Sequence, residues 1–227
     1  MFFNNKAIVI TALAAITQSL SAVSLPVKGK VITMTRVTAP WYAPKFLIKN
    51  GMKKSIPEYE AVKGLTRKIY SIEEGTGFFG GIYLWENEQA AKEWFNQAWF
   101  DRVNSKYGGD HKVTILKAIY AYTLDSELAE EVKERWVDVK SYRIGTEGTT
   151  NLPNYFEGKM DGLKNQSGFL SFWVAEVSST SIQVFSVWQD RSSLEKNSHQ
   201  DLIKPTWTVE ANILTESPII LKNDLRN

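Results

Sequence analysis

The chain of 227 residues contains no cysteine and two histidines, His111 and His199. The lack of thiols excludes disulfides, thiolate nucleophiles, zinc–thiolate centres and iron–sulfur clusters. Two histidines exclude a metal site built on several imidazoles. Neither a phosphate-binding loop of the Gly-Lys-Ser/Thr type nor a Gly-x-Ser-x-Gly elbow is present. We therefore expect no cofactor and no metal.

The chain also has no large excess of positive or negative charge. Its formal net charge is +2, and its lysines are scattered along the sequence. Nucleic-acid binding normally requires a basic patch or stripe. We therefore expect no nucleic-acid partner. The chain has a hydrophobic content of 43% and is rich in aromatic residues, which suits a globular protein with large core side chains and an aromatic-lined cavity.

The first 24 residues have the pattern of a secretory signal peptide. Lys6 gives a short positive region, and residues 7–16 form an apolar run that is too short to span a bilayer comfortably. Small residues in Ala22–Ser24 predict cleavage after Ser24, with Ser21 as the alternative. We expect an exported protein, periplasmic or secreted, that keeps no stable membrane anchor after cleavage.

One pattern occurs twice along the chain. Gly64 opens a hairpin that ends at Trp85 and is followed by a polar helix start, and Gly168 and Trp188 repeat this arrangement. The two Gly-to-Trp spacings are 21 and 20 positions. Near-equal spacing of the same features predicts duplication of one supersecondary unit.

Hydrophobic periodicity predicts the order strand, helix, strand, strand, helix, strand in each copy, which is the ferredoxin-like arrangement. The first helix is expected to end before Pro57, the second to run from Glu88 to Val103, and the last strand of the chain to span Thr206–Leu214. We predict an α+β protein with two ferredoxin-like units, residues 25–128 and 129–227.

The segment Gly80-Gly81-Ile82-Tyr83-Leu84-Trp85-Glu86 resembles the core of the small putative monooxygenase branch of the dimeric α/β-barrel superfamily. The second unit, from Gly168 to Leu194, is more similar to the antibiotic-biosynthesis-monooxygenase type. In that superfamily two units pair their sheets into a barrel with helices outside. The resemblance therefore implies an intramolecular dimeric α/β barrel with paired antiparallel sheets. Association of the whole chain into a homo-oligomer stays open.

The resemblance also implies a pocket between sheet and helices, in which aromatic and polar side chains bind a flat substrate and stabilise its oxyanion. The residues of this chain that match such roles fall into two groups. The candidate catalytic residues are Trp85, Tyr83 and His199. The candidate ligand-binding residues are Tyr70, Arg67, Tyr120, Trp94 and Trp188.

The leading functional hypothesis is cofactor-independent oxidation of a small aromatic or quinone-like molecule. The alternatives are a non-catalytic carrier or sensor of a small apolar ligand, and a structural pseudoenzyme on the same scaffold. Polar-tipped aromatics are more frequent in the first unit than in the second. We therefore expect a pocket in the first unit, between the hairpin and the helix around residues 94–103.

Overall fold

The computed structural model of the protein describes residues 22–24, 27–40, 42–109, 111–124, 135–144, 150–197 and 219–223. The strands of these ranges are β1 Ala22–Ser24, β2 Val31–Thr38, β3 Leu65–Glu73, β4 Phe78–Trp85, β5 His111–Leu124, β6 Arg135–Arg143, β7 Phe169–Ser178, β8 Ser181–Trp188 and β9 Ile219–Asn223. The helices are α1 Lys45–Glu60, α2 Glu88–Trp94, α3 Gln97–Tyr107, α4 Leu152–Lys164 and α5 Arg191–Asn197. Within these ranges, no helix has both the length and the apolar character that crossing a membrane requires.

All nine strands belong to one sheet, in the order β1-β5-β2-β4-β3-β9-β6-β8-β7, and β7 also pairs with β5. Every pairing is antiparallel. Because β9 joins β3 to β6 and β5 joins β2 to β7, the sheet curls round until its ends meet. The predicted α+β class and the intramolecular barrel that the family resemblance implied are therefore confirmed. The predicted strand at residues 206–214 lies outside the described residues.

Two predicted helices have different bounds. Helix α1 runs through Pro57 to Glu60, and the Ala61 N–H donates to the Pro57 carbonyl at 3.3 Å. A proline near the end of a helix removes one hydrogen bond without stopping the final turn. The predicted helix from residue 88 to 103 is two helices, α2 and α3. The Asn96 side chain caps α3 by accepting a hydrogen bond from the Trp99 N–H at 3.1 Å.

The repeated glycines have the same backbone role in both halves. Gly64 and Gly168 have φ values of +79° and +78°, a region that favours glycine. The Gly64 carbonyl accepts a hydrogen bond from the Glu86 N–H at 2.8 Å, and the Gly168 carbonyl accepts one from the Gln189 N–H at 2.7 Å. Each glycine thus ties the start of its hairpin to the residue directly after the strand-end tryptophan.

The helices that follow these tryptophans also begin alike. The Asn87 side chain accepts a hydrogen bond from the Ala90 N–H at 2.8 Å, and the Asp190 side chain accepts one from the Ser193 N–H at 2.8 Å. Both satisfy a backbone donor that the first helical turn leaves without a partner. The equivalence of glycine, tryptophan and cap supports duplication of the unit.

Buried apolar side chains form three clusters. One contains strand residues alone, including Ile82, Trp173 and Phe185, and it fills the inside of the barrel. A second lies between the outer face of the first-half strands and helices α1–α3. The third lies between the second-half strands and helices α4 and α5. Each layer of helices therefore covers the outside of the barrel, where a ligand site would lie between helix and sheet.

Candidate functional site

A cleft of about 160 Å³ lies between the outer face of strands β2–β4 and helices α1 and α3. It is lined by Thr35, Val37, Gly51, Met52, Ser55, Glu58, Tyr59, Lys68, Tyr70, Phe79, Gly80, Tyr83, Trp99, Arg102, Val103, Lys106 and Tyr107. The apolar members of this lining belong to the cluster between the first-half strands and helices. The cleft therefore lies in the region that the sequence indicated.

Strand and helix periodicity bring the polar members together. Lys68 and Tyr70 are two positions apart on β3, so their side chains leave the same face of the sheet. Ser55 and Tyr59 are four positions apart on α1 and share one helix face. The Ser55 and Tyr70 hydroxyls are hydrogen bonded at 3.0 Å, which joins helix to strand across the cleft.

The ammonium group of Lys68 lies among three tyrosine rings. Its Nζ atom is 2.8 Å from the ring centroid of Tyr59, 3.8 Å from that of Tyr70 and 4.9 Å from that of Tyr83. Ring faces carry negative charge density and attract a cation at such distances. The three rings thus form an aromatic cage around one amine.

Burial lowers the pKa of Lys68 well below its usual value, because the cage and the helices keep the charged form from water. The carboxylate of Glu58 acts in the opposite direction and is the weaker influence. Glu58 itself is exposed and forms an ion pair with Arg102 at 2.9 Å. Lys68 is therefore an amine that gives up its proton more readily than an exposed lysine.

Burial shifts the pKa of the tyrosines of the cleft in the opposite direction. Burial raises the pKa of Tyr83 well above its usual value, and burial also raises the pKa of Tyr59. Contacts of the Tyr59 hydroxyl with Tyr83 and Trp99 partly offset the effect of burial on the Tyr59 pKa. The Tyr83 hydroxyl also lies 3.4 Å from the Thr35 hydroxyl. Both phenols stay protonated at neutral pH and remain available as hydrogen-bond donors.

Two of the predicted catalytic residues can be placed. Tyr83 lines the cleft. Trp85 is fully buried beside it, with the two rings stacked at a centroid distance of 5.9 Å, but it does not line the cleft. Its indole N–H donates to the Thr33 hydroxyl at 2.9 Å. Trp85 therefore packs against Tyr83 outside the cleft lining, and His199 lies outside the described residues.

Only one of the predicted ligand-binding residues lines the cleft. Tyr70 lines the cleft, and Trp94 lies behind Tyr59 at a ring-centroid distance of 5.1 Å. Arg67 is half-buried and is not part of the lining. As the neighbour of Lys68 on a strand, it points to the other face.

Tyr120 and Trp188 belong to the second half of the molecule. The Tyr120 hydroxyl donates to the Glu157 carboxylate on α4 at 2.8 Å. The Trp188 indole N–H donates to the Ser186 hydroxyl at 2.9 Å. Both side chains pack in the cluster beneath α4 and α5, so neither contacts the cleft. Strand β5 has 14 residues, and its second part pairs with β7, which carries Tyr120 across to the other half.

Lys68, Tyr59 and Ser55 were not predicted as site residues. The signal for Lys68 was its position two residues before Tyr70 on an amphipathic strand. The signal for Tyr59 and Ser55 was their four-residue spacing, which the expected end of α1 before Pro57 concealed.

The described residues hold no group of three or more His, Asp or Glu side chains that would bind a metal ion. The glycines Gly75, Gly77 and Gly80 have the spacing of a dinucleotide-binding turn, but they join β3 to β4. A pyrophosphate site of that kind needs a helix N-terminus after the glycines. The hairpin supplies none.

A model of the family described as "Putative mono-oxygenase ydhR" matches residues 44–126 of the chain. This segment is less than half of the chain, yet it contains every residue of the cleft lining except Thr35 and Val37. No curated protein has a sequence that matches the chain.

Several solved structures have a similar fold. A putative monooxygenase from Lactobacillus acidophilus NCFM has a TM-score of 0.59 at 12% identity, over 86% of this chain and 93% of that one. A putative monooxygenase from Fusobacterium nucleatum has a TM-score of 0.56 at 12% identity, over 87% and 93%. An anthrone oxidase-like protein has a TM-score of 0.55 at 12% identity, over 89% and 93%.

At such low identity these structures establish the fold alone, whereas the family match concerns the sequence of the first half. The two findings agree with each other and with the resemblance noted in the segment that ends at Trp85. Residues 44–126 are therefore similar in sequence to the putative mono-oxygenase ydhR family, and the fold of the whole chain is similar to that of the putative monooxygenase structures.

Proposed function

We propose that the protein binds a small phenol or quinol in the first-half cleft and oxidises it with molecular oxygen, without a bound cofactor. The observation that carries this proposal is the cleft itself, in which a half-buried lysine and three tyrosines line a space of about 160 Å³. Aromatic walls with a few convergent polar groups are typical of sites for flat organic molecules.

The size of the cleft restricts the substrate. An apolar cavity of about 150 Å³ is known to hold one benzene ring, and the cleft has about 160 Å³. A compound with one aromatic ring therefore fits inside. A compound with three fused rings must extend through the mouth, beside Glu58, Arg102 and Lys106. We propose a one-ring phenol or hydroquinone, or one ring of a larger quinol.

The polar groups of the cleft suit this chemistry. Oxidation by oxygen begins when the phenol loses its hydroxyl proton, because the phenolate gives up electrons more easily than the phenol. The Tyr83 and Tyr59 hydroxyls, which stay protonated, donate hydrogen bonds to the resulting oxyanion. In the overall reaction one oxygen atom becomes a new ring carbonyl. The other leaves as water with the hydroxyl hydrogen and the hydrogen of the attacked ring carbon, so phenol and oxygen give quinone and water.

The test is oxygen uptake by the purified full chain with a panel of phenols, hydroquinones and anthrones, followed by product analysis after reaction under ¹⁸O₂. We expect faster uptake with one-ring substrates than with anthrones, and one labelled oxygen in the quinone made from a phenol. Tyr83→Phe should slow turnover by about 100-fold, the effect of losing one oxyanion donor. Tyr155→Phe, a half-buried tyrosine on α4 outside the lining, is the matched control and should retain the wild-type rate.

Saturable binding of the panel without any oxygen uptake would replace the enzyme proposal by the carrier or sensor alternative. Neither binding nor uptake would leave the structural alternative. Equal loss of turnover in both tyrosine variants would show that the first-half cleft is not the site.

We also propose that the protein is exported, on the basis of the pattern in residues 1–24. Cleavage after Ser21 would retain strand β1, which pairs with residues 122–124 of β5, whereas cleavage after Ser24 would remove it. Amino-terminal sequencing of the native protein distinguishes these sites. Recovery of Met1 in the soluble fraction would refute export.

A further inference from the structure

We propose that Lys68 is the catalytic base of the cleft and accepts the hydroxyl proton of the bound phenol. This inference rests on the proposed function, since it assigns the proton acceptor that phenol oxidation requires. In the step, the phenol O–H bond breaks, an N–H bond forms at Nζ, and the electron pair stays on the phenolate oxygen.

The position of Lys68 is the first argument. Its Nζ lies within 5 Å of the ring centroids of Tyr59, Tyr70 and Tyr83, which all line the cleft. In the described part of the chain Lys68 forms no ion pair within 4.0 Å, and the nearest acidic influence, Glu58, is bonded to Arg102. The amine is therefore free of a fixed acidic partner and lies at the wall that a ligand would contact.

The surroundings of Lys68 favour the neutral amine before the reaction and the ammonium after proton transfer. Before the reaction, burial disfavours the ammonium and leaves the amine ready to accept a proton. After the transfer, the adjacent phenolate, which is absent before the reaction, stabilises the new ammonium. Stabilisation of charge that develops only during the reaction is the kind that raises a rate.

Other titratable groups of the cleft are poorly suited to this role. Tyr59 on α1 and Tyr83 on β4 have raised pKa values because they are buried, so they stay protonated. Glu58 is held at the exposed mouth by Arg102. Three further groups line the cleft: Tyr70 on β3, whose hydroxyl is bonded to Ser55, and Lys106 and Tyr107 on α3, of which Lys106 is exposed.

The experiment uses the full chain and 4-nitrophenol, whose phenol and phenolate forms absorb at different wavelengths. The probe is titrated with protein at a pH below its own solution pKa. We expect the wild-type protein to bind the probe as phenolate. Lys68→Met should bind it as neutral phenol, because no amine remains to accept the proton. Lys63→Met removes an exposed lysine outside the cleft and should behave as wild type.

The outcomes separate the two proposals. Binding of the probe as neutral phenol to the wild-type protein, or as phenolate to Lys68→Met, overturns the role of Lys68 and leaves the proposed substrate class standing. No saturable binding to the wild-type protein overturns the proposed function, and the role of Lys68 with it.

A second measurement does not depend on any ligand. In the full chain labelled with ¹³C at lysine Cε, the NMR signal of each lysine shifts as its amine loses a proton. The Lys68 signal, assigned by its absence from Lys68→Met, should titrate well below the usual lysine range. Titration of Lys68 in the usual lysine range would overturn the proposal.

Discussion

Replacement of Gly64 by alanine tests why the same pattern occurs in both halves. Gly64 has a φ of +79°, and a Cβ placed on it would lie 2.6 Å from the Ala90 Cβ in α2. Alanine there meets two separate penalties. One is the left-handed backbone, and the other is the contact with the first turn of the helix. Gly75 and Gly162 allow the two penalties to be measured one at a time.

The three sites differ in known ways. Gly75 has a φ of +82° with nothing within 4 Å of an added Cβ, so Gly75→Ala meets the backbone penalty alone. That penalty is roughly 1–2 kcal/mol. Gly64→Ala adds overpacking of about 1–3 kcal/mol, so the total loss of stability is roughly 2–5 kcal/mol. Gly162 lies in α4 with open space around its Cα, so Gly162→Ala should stabilise the protein by about 0.5–1 kcal/mol.

The assay is equilibrium unfolding of the full chain in urea, followed by tryptophan fluorescence and circular dichroism. The expected order of the free energy of unfolding is Gly162→Ala, wild type, Gly75→Ala and Gly64→Ala, from highest to lowest. If Gly64→Ala were no less stable than Gly75→Ala, the contact between hairpin start and helix would not explain the repeated glycine. If both matched the wild type, the backbone argument would also fail.

Three further predictions concern the charge of Lys68, the two strand-end tryptophans, and the two halves of the chain expressed separately. The pKa of Lys68 is lowered in the folded protein, whereas it is about 10.4 in the unfolded chain. At a pH between these two pKa values, the unfolded chain therefore binds more protons than the folded protein. Wild-type stability should therefore rise relative to Lys68→Met as pH approaches 10 in urea titrations, and a flat difference would refute this. Trp85→Ala should reduce phenol binding per folded molecule more than Trp188→Ala, because the Trp85 ring stacks on Tyr83 beside the cleft. Equal binding by the two variants would refute this prediction. Residues 25–128 or 132–227 made alone should be unstable or dimeric by ultracentrifugation, because β5 pairs with β7; two stable monomers would contradict this.

Residue patterns in the sequence predicted the features of the fold that depend on one hairpin and the helix that follows it. The hydrogen bond from Glu86 to Gly64 and the cap at Asn87 involve close neighbours of the hairpin and helix, so their residue types can be recognised in the sequence. The break between α2 and α3 was not predicted, because a helical apolar pattern continues across Asn96 and the cap becomes visible only in the structure.

The interior of the site was less predictable. A lysine on a strand is normally exposed, and nothing near Lys68 in the sequence shows that Tyr59 will cover it. That contact exists because α1 continues beyond Pro57 and packs over β3. Tyr120 was expected near the first-half site, but the length of β5 places it against α4. Both cases depend on long-range packing, which periodicity in one segment does not encode.

The central claim is that the first-half cleft binds a phenol with its hydroxyl at Lys68. A crystal structure of the full chain soaked with a phenol that resists oxidation tests this claim most directly. The account predicts one aromatic ring between the β3–β4 hairpin and α3, with the phenol oxygen within hydrogen-bonding distance of Lys68 Nζ. A phenol bound elsewhere, or an empty cleft at a concentration that saturates binding in solution, would contradict it.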